Sequence, residues 1–162
     1  MTPDLLAFVR VLSGAGVRYI IVGGVAAGVH GALRTTLDLD VVYARDDDNV
    51  ARLVDALAPY NPYLRGAPPG LPFTFDADTV RRGLNFTLET TLGSLDLLGD
   101  IVGGGGYDDL HPRTDLVEIE GFRCEVVSLR TLIRLKRAAG RPKDHEALAE
   151  LEALLEERDT SP

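Results

Sequence analysis

Asp38-Leu39-Asp40 carries two carboxylates at i and i+2, a spacing that in a strand points both to one face while Leu37, Leu39 and Val41 turn to the core. Carboxylates about 7 Å apart along a strand can together hold two Mg²⁺ ions about 4 Å apart, the arrangement that serves phosphoryl transfer. A third carboxylate, Asp96 in "SLDLLG", alternates with Leu95 and Leu97 in the same way. Upstream, Gly23 and Gly24 end an apolar run and open a helical stretch, where bare backbone N–H groups and the helix dipole favour phosphate oxygens. If the two aspartate strands are neighbours, three acids meet beside a triphosphate cradle. Taken alone, Asp-x-Asp also suits a solvated strand face, and no basic residue alternates in this strand to offset the repulsion.

The glycines fit two other chemistries poorly. A dinucleotide fingerprint needs G-x-G-x-x-G, but Ala26 stands where Gly24 would require its partner, although Asp40 lies near the right distance for a ribose carboxylate. A P-loop needs Lys and Ser/Thr after the second glycine, and Val29 and His30 follow Gly28.

The positioning elements follow from periodicity. "TPDLLAFVRVLSGAG" reads as a helix with Thr2 as N-cap, Pro3 at its first position, Leu5, Leu6, Val9 and Leu12 inward, and a stop at Gly14 to Gly16. Val17 to Val22 is a buried strand, a short helix follows the glycines, and Leu37 to Tyr43 is a second strand. Asp46 to Asp48 sit at the start of the next helix as cap and dipole partners rather than as a metal site. Asn61 to Asp78, rich in Pro and Gly, reads as a loop with room for one short strand. Asn85 to Thr90 and Ser94 to Leu98 are strands around a turn, and "DLVEIEGFRCEVVS" is a hairpin turning at Glu120 and Gly121. The run Gly103 to Gly106 is costly in backbone entropy and is expected to be a mobile loop, with Tyr107 and His111 as candidates for a lid. Two helices close the chain, one capped by Ser128 with Leu129, Leu132, Ile133 and Leu135 inward, the other beginning after Gly140 and Pro142. This order predicts an α+β fold with a mixed β-sheet packed by helices, in one domain over 1–162 with C-terminal helices at about 128–158.

Composition narrows the classes. The 162 residues lack an apolar run approaching the roughly 20 needed to span a bilayer, and the N-terminus has no export pattern, so a cytoplasmic protein is expected. The single cysteine, Cys124, reads as a buried strand residue. A formal charge of −8 argues against broad nucleic-acid binding, which needs a cationic face. His30, after the glycines, reads first as a packed histidine.

The succession of apolar strand, Gly-Gly, helix and Asp-x-Asp resembles the minimal nucleotidyltransferases of the polymerase-β-like superfamily, in particular the AbiEii-type bacterial branch, whose enzyme can be the toxin of a toxin–antitoxin pair. Val22, Gly23, Gly24 and Asp38 to Val41 match the family motif, and "RTTLDLD" matches its lead-in at Arg34 and Thr36. "LKRAAGRPKD" resembles the closing helices, mapping Lys136, Arg141, Lys143 and Asp144; family members often carry a further Asp where "HEAL" has His145 and Glu146. The resemblance implies transfer of a nucleoside monophosphate from an NTP such as ATP to a hydroxyl on RNA, protein or a small molecule. It assigns two Mg²⁺ ions to Asp38, Asp40 and Asp96, with Asp96 as proton acceptor. Gly23, Gly24, Arg34 and Thr36 fall at the nucleotide, and Lys136, Arg141 or Lys143 at the leaving pyrophosphate. It also implies a possible antitoxin partner; the rival reading is a noncatalytic nucleotide-binding or protein-interaction module with the same fold.

Overall fold

Residues 4–33, 36–142 and 144–160 are described by the computed structural model. Strict alternation builds the two central strands, β2 (Asp38–Tyr43) and β5 (Gly93–Leu98): Leu39, Val41, Leu95 and Leu97 are fully buried on one face while Asp38, Asp40 and Asp96 stay partly exposed on the other. β1 (Tyr19–Val22), buried throughout, lies antiparallel to β2, and β7 (Phe122–Val127) lies parallel to β1 on its other side. β3 (Tyr63–Leu64), β4 (Phe86–Thr90) and β6 (Thr114–Ile119) complete a seven-stranded mixed sheet in the order β3-β4-β5-β2-β1-β7-β6. The fold is α+β, as the order of elements predicted.

Helices cover the sheet in two groups. α3 (Asp47–Leu57) contacts both α1 (Leu5–Gly14) and α4 (Ala77–Arg82) over the apolar face, where Tyr19 and Tyr43 hydrogen-bond to Ser13 and to the Leu84 carbonyl. α2 (Gly23–Val29), α6 (Leu129–Ala139) and α7 (Asp144–Thr160) gather on the aspartate face. The four-residue helix α5 (Tyr107–Leu110) touches β1. None of the described helices is long and apolar enough to cross a membrane.

Several local expectations hold. Asp46 caps α3 by accepting from the Asn49 amide at 3.2 Å, Ser128 caps α6 at Thr131, Gly140 ends α6 at φ +64°, and Cys124 is buried. The β6–β7 hairpin turns on Glu120 (φ 54°) and Gly121 (φ 78°), the paired left-handed geometry that matches strand twist.

Others change. Asp4 caps α1, accepting from the Ala7 amide at 3.0 Å; Thr2 and Pro3 lie outside the described residues. The inward face of α1 is Ala7, Phe8, Val9 and Leu12, leaving Leu6 45% exposed, because the bulk of Phe8 sets the rotation of the helix. Leu37 precedes β2 and is exposed rather than core-facing. α2 begins at Gly23 itself, and α4 starts inside the stretch read as loop.

The run Gly103 to Gly106 is a closed turn and not an open loop. The Ile101 amide donates to the Gly105 carbonyl, and the amides of Gly104 and Gly105 both donate back to Ile101. A Cβ at Gly103 would stand 2.5 Å from Ala138 Cβ, and one at Gly104 2.7 Å from Leu135 Cδ2. These glycines let the turn seat directly on α6.

Asn49, fully buried at the head of α3, ties the strand ends together. It accepts from the Arg18 amide at 2.7 Å and donates to the carbonyls of Arg18 and Ala44 at 3.1 and 2.8 Å. Asn49→Ala takes this partner from the Arg18 amide and the Ala44 carbonyl, while the Arg18 carbonyl keeps the Ala44 amide at 3.2 Å, and is expected to cost about 2 kcal/mol in urea unfolding. A loss under about 0.5 kcal/mol would mean that the tie is not structural.

Candidate functional site

The parallel register of β2 and β5 sets Asp40 opposite Asp96 and Asp38 opposite Ser94, while β1 sets Val22 opposite Asp40. Paired residues on adjacent strands share a face, so the three aspartates line one side of the sheet. Asp40 and Asp96 are direct cross-strand partners, so their carboxyls adjoin. Burial first, then the adjoining carboxyl of Asp96 and the charge of Asp38, push Asp40 up to about 7, with Lys136 pulling it down. Near neutral pH Asp40 therefore still holds a proton part of the time.

Arg65, absent from the sequence reading, completes the cluster. One terminal nitrogen donates to Asp96 Oδ1 at 2.9 Å and to the Leu88 carbonyl at 2.8 Å; the other lies 3.6 Å from Asp38 Oδ1. Its Nε is buried without a hydrogen-bond acceptor, 3.8 Å from Glu89 Oε2. Glu89 in turn accepts from the Ser94 hydroxyl. The three aspartates are thus neighbours, with a guanidinium bridging two of them. Among the described residues, no three His, Cys, Asp or Glu side chains converge as a ready cation shell. The chemistry of the donors nonetheless fits Mg²⁺: hard carboxylate oxygens on adjacent, paired strands.

The glycines answer to these side chains. Gly23 has φ +66°, and a Cβ there would sit 2.1 Å from Asp40 Oδ2; one at Gly24 would meet Thr36 Oγ1 at 2.9 Å. Asp40 therefore lies directly against the turn into α2. Thr36 hydrogen-bonds through Oγ1 to the Asp38 carbonyl at 2.9 Å and so shapes the entry to β2.

On the far wall, Lys136 is 18% exposed and 3.5 Å from the buried carboxylate of Asp144, to which Arg141 Nε donates at 2.9 Å. Burial alone would raise the pKa of Asp144, but the two cations outweigh it and hold the group below its ordinary value. Lys136 and Arg141 face Asp40 and Gly23 across a cleft of about 300 Å³, whose apolar wall includes Leu98, Val102 and Leu135. Arg34 and Lys143 lie outside the described residues.

Three other candidates are held elsewhere. His30 is buried, with Nε2 2.7 Å from the Val127 carbonyl and Nδ1 3.3 Å from Arg158. Tyr107 and His111 stack on each other and both engage Glu125, beside the Arg18 end of β1 and away from Gly23. They form no lid over Asp40. Arg65 escaped the sequence reading because it lies in "YLRGAPPG", where no periodicity fixes a face, and its partner Asp96 is 31 residues away.

A carboxyl raised in the folded state stabilises the fold fully below its ordinary value of 3.8, and that contribution is lost as pH rises through about 7. Asp40→Asn, which keeps the shape without the charge, is expected to raise Tm in metal-free buffer at pH 8, by about 2–4 °C per kcal/mol regained. It should also flatten the decline between pH 4 and 8. Parallel Tm–pH curves for the two proteins would refute the raised Asp40.

No protein-family model matches the sequence, and no curated protein matches it. Solved structures do. The lincosamide antibiotic adenylyltransferase LnuA, bound to lincomycin, aligns with TM-score 0.60 and 14% identity over 94% of this chain and 98% of its own. TM1012 of Thermotoga maritima, a proposed nucleotidyltransferase, aligns with TM-score 0.57 and 16% identity over 93% and 94%. An antigenic nucleotidyltransferase-like protein of Paracoccidioides brasiliensis aligns with TM-score 0.56 and 15% identity over 94% and 77%. At these identities the likeness concerns architecture, and the architecture is that of the nucleotidyltransferases.

Proposed function

We propose that the chain transfers a nucleoside monophosphate from an NTP to a hydroxyl acceptor, using Mg²⁺ held by Asp38, Asp40 and Asp96. The observation that carries this reading is the pairing of Asp40 with Asp96 directly against the Gly23 turn, on a face with the nucleotidyltransferase fold around it. Mg²⁺ bound there supplies the positive charge that offsets the transferring phosphate and eases deprotonation of the acceptor hydroxyl. Asp96 takes the proton from that hydroxyl. The Gly23–Gly24 backbone, free of Cβ atoms, lets the triphosphate approach closely. Lys136 and Arg141, pre-set by Asp144, offset charge on the departing pyrophosphate.

Among acceptors, a small molecule fits best. The net charge of −8 disfavours an RNA backbone, and LnuA, an adenylyltransferase for lincosamide antibiotics, is matched over nearly its whole length. The toxin reading and its antitoxin partner rest on the AbiEii-type sequence resemblance. A noncatalytic module is the second reading, favoured by the guanidinium that bridges Asp38 and Asp96.

Incubation with Mg²⁺, each labelled NTP and panels of hydroxylated small molecules, tRNA and protein separates these readings. Incorporation is expected, reduced at least about a hundredfold in Asp38→Asn, Asp40→Asn or Asp96→Asn. Gly23→Ala, which drives a methyl into the Asp40 carboxylate, is expected to fall comparably. Nucleotide binding without incorporation into any acceptor would favour the module; incorporation that survives all three Asp variants would remove the proposed site.

A further inference from the structure

Arg65 stands in the carboxylate cluster without the full set of partners a permanent ion pair would have. Its guanidinium bonds Asp96 Oδ1 and reaches toward Asp38 Oδ1, yet its Nε is buried with no acceptor. Charge holds it there more than hydrogen-bond complementarity does, since a guanidinium fully matched to carboxylates uses its fork of donors in pairs. The Asp oxygens it engages are the same oxygens a divalent cation needs, and two positive groups cannot share Asp96 Oδ1 at close range. Its backbone is fixed, the Arg65 amide donating to the Thr87 carbonyl at 3.0 Å at the sheet edge, so the side chain can swing without moving the strand. Glu89 Oε2, 3.8 Å from Nε, is a second carboxylate within its reach.

We propose that Arg65 is a displaceable counter-ion: it neutralises Asp38 and Asp96 in the cation-free protein and transfers to Glu89 when a divalent cation takes those two carboxylates. This rests on the metal-dependent reading above. Arg65 acts on the cation through the aspartates and is a positioning residue. It stabilises the crowded acids before the cation arrives and lowers apparent cation affinity, coupling cation binding to a rearrangement at the β3–β4 edge.

Mn²⁺ binding without nucleotide, followed by the electron paramagnetic resonance of the free ion, tests the idea in wild type, Arg65→Gln, Arg65→Lys and Asp40→Asn. Arg65→Gln is expected to bind Mn²⁺ about tenfold more tightly than wild type, with Arg65→Lys close to wild type, since removing a cation beside the ligands strengthens their field. Equal or weaker binding in Arg65→Gln, with binding still abolished by Asp40→Asn, would overturn the counter-ion role alone. Absence of Mn²⁺ binding throughout, or binding indifferent to Asp40→Asn, would overturn the metal reading and this inference with it. The Leu88 bond makes Arg65→Gln vulnerable to misfolding, so the wild type supplies an independent readout. The Arg65 Nε–H resonance, identified by its loss in Arg65→Lys, is expected to shift on saturation with Mg²⁺, and a stationary resonance would overturn the proposal.

Discussion

Bringing Asp40 and Asp96 side by side on neighbouring parallel strands is electrostatically unfavourable, and much of the surrounding structure is organised by that juxtaposition. Strands lie about 4.8 Å apart, so two carboxylates in register cannot both ionise freely without a cation between or beside them. Three devices meet the repulsion in the protein alone: the raised pKa of Asp40, the Arg65 guanidinium, and the charge of Lys136 across the cleft. Each is the kind of compensation that the proposed divalent cation would replace.

The same alternation that creates the problem also provides the rigidity to hold it. Leu39, Val41, Leu95 and Leu97 are fully buried under the acids, so a one-residue slip of either strand would bury a carboxylate and expose a leucine. Register is thereby locked by the core, not by the polar cluster. β1 fixes the third dimension: its antiparallel pairing sets Val22 opposite Asp40, and the next residue must turn away into α2 over the carboxylate. Only a residue without a Cβ fits there, which makes Gly23 a packing requirement before it is anything else.

What the sequence disclosed, and what it did not, divides along contact range. Alternation around Asp38, Asp40 and Asp96 is local, so the strands and the shared face were readable, as were the Asp46, Ser128 and Gly140 caps. Arg65 was not, because its meaning comes from strands 23 and 31 residues further along the chain. The tetraglycine misled for the same reason: its entropy cost is a local property, but the contacts with Leu135 and Ala138 that make glycine necessary are long-range. In α1 the apolar positions were recognised while the helix rotation was not, since Leu6 and Phe8 compete for the interior and packing decides. Asp144 was visible only as part of a motif; its grip on Lys136 and Arg141 required the two closing helices to meet.

The two walls of the site differ in how they are built, and the difference bears on specificity. The wall around Gly23, Lys136 and Asp144 comes from α2, which packs on β1, β2 and β7, from α6, which packs on α2, and from α7, which packs on α6. The opposite wall, carrying Arg65 and Glu89, belongs to the edge of the sheet, where β3 is only two residues long and the following stretch is irregular. Elements with few packed neighbours open and vary most cheaply. If the packed wall receives the nucleotide, the acceptor meets the edge. Under the transfer proposed above, variation at this edge would change what is modified without disturbing the core.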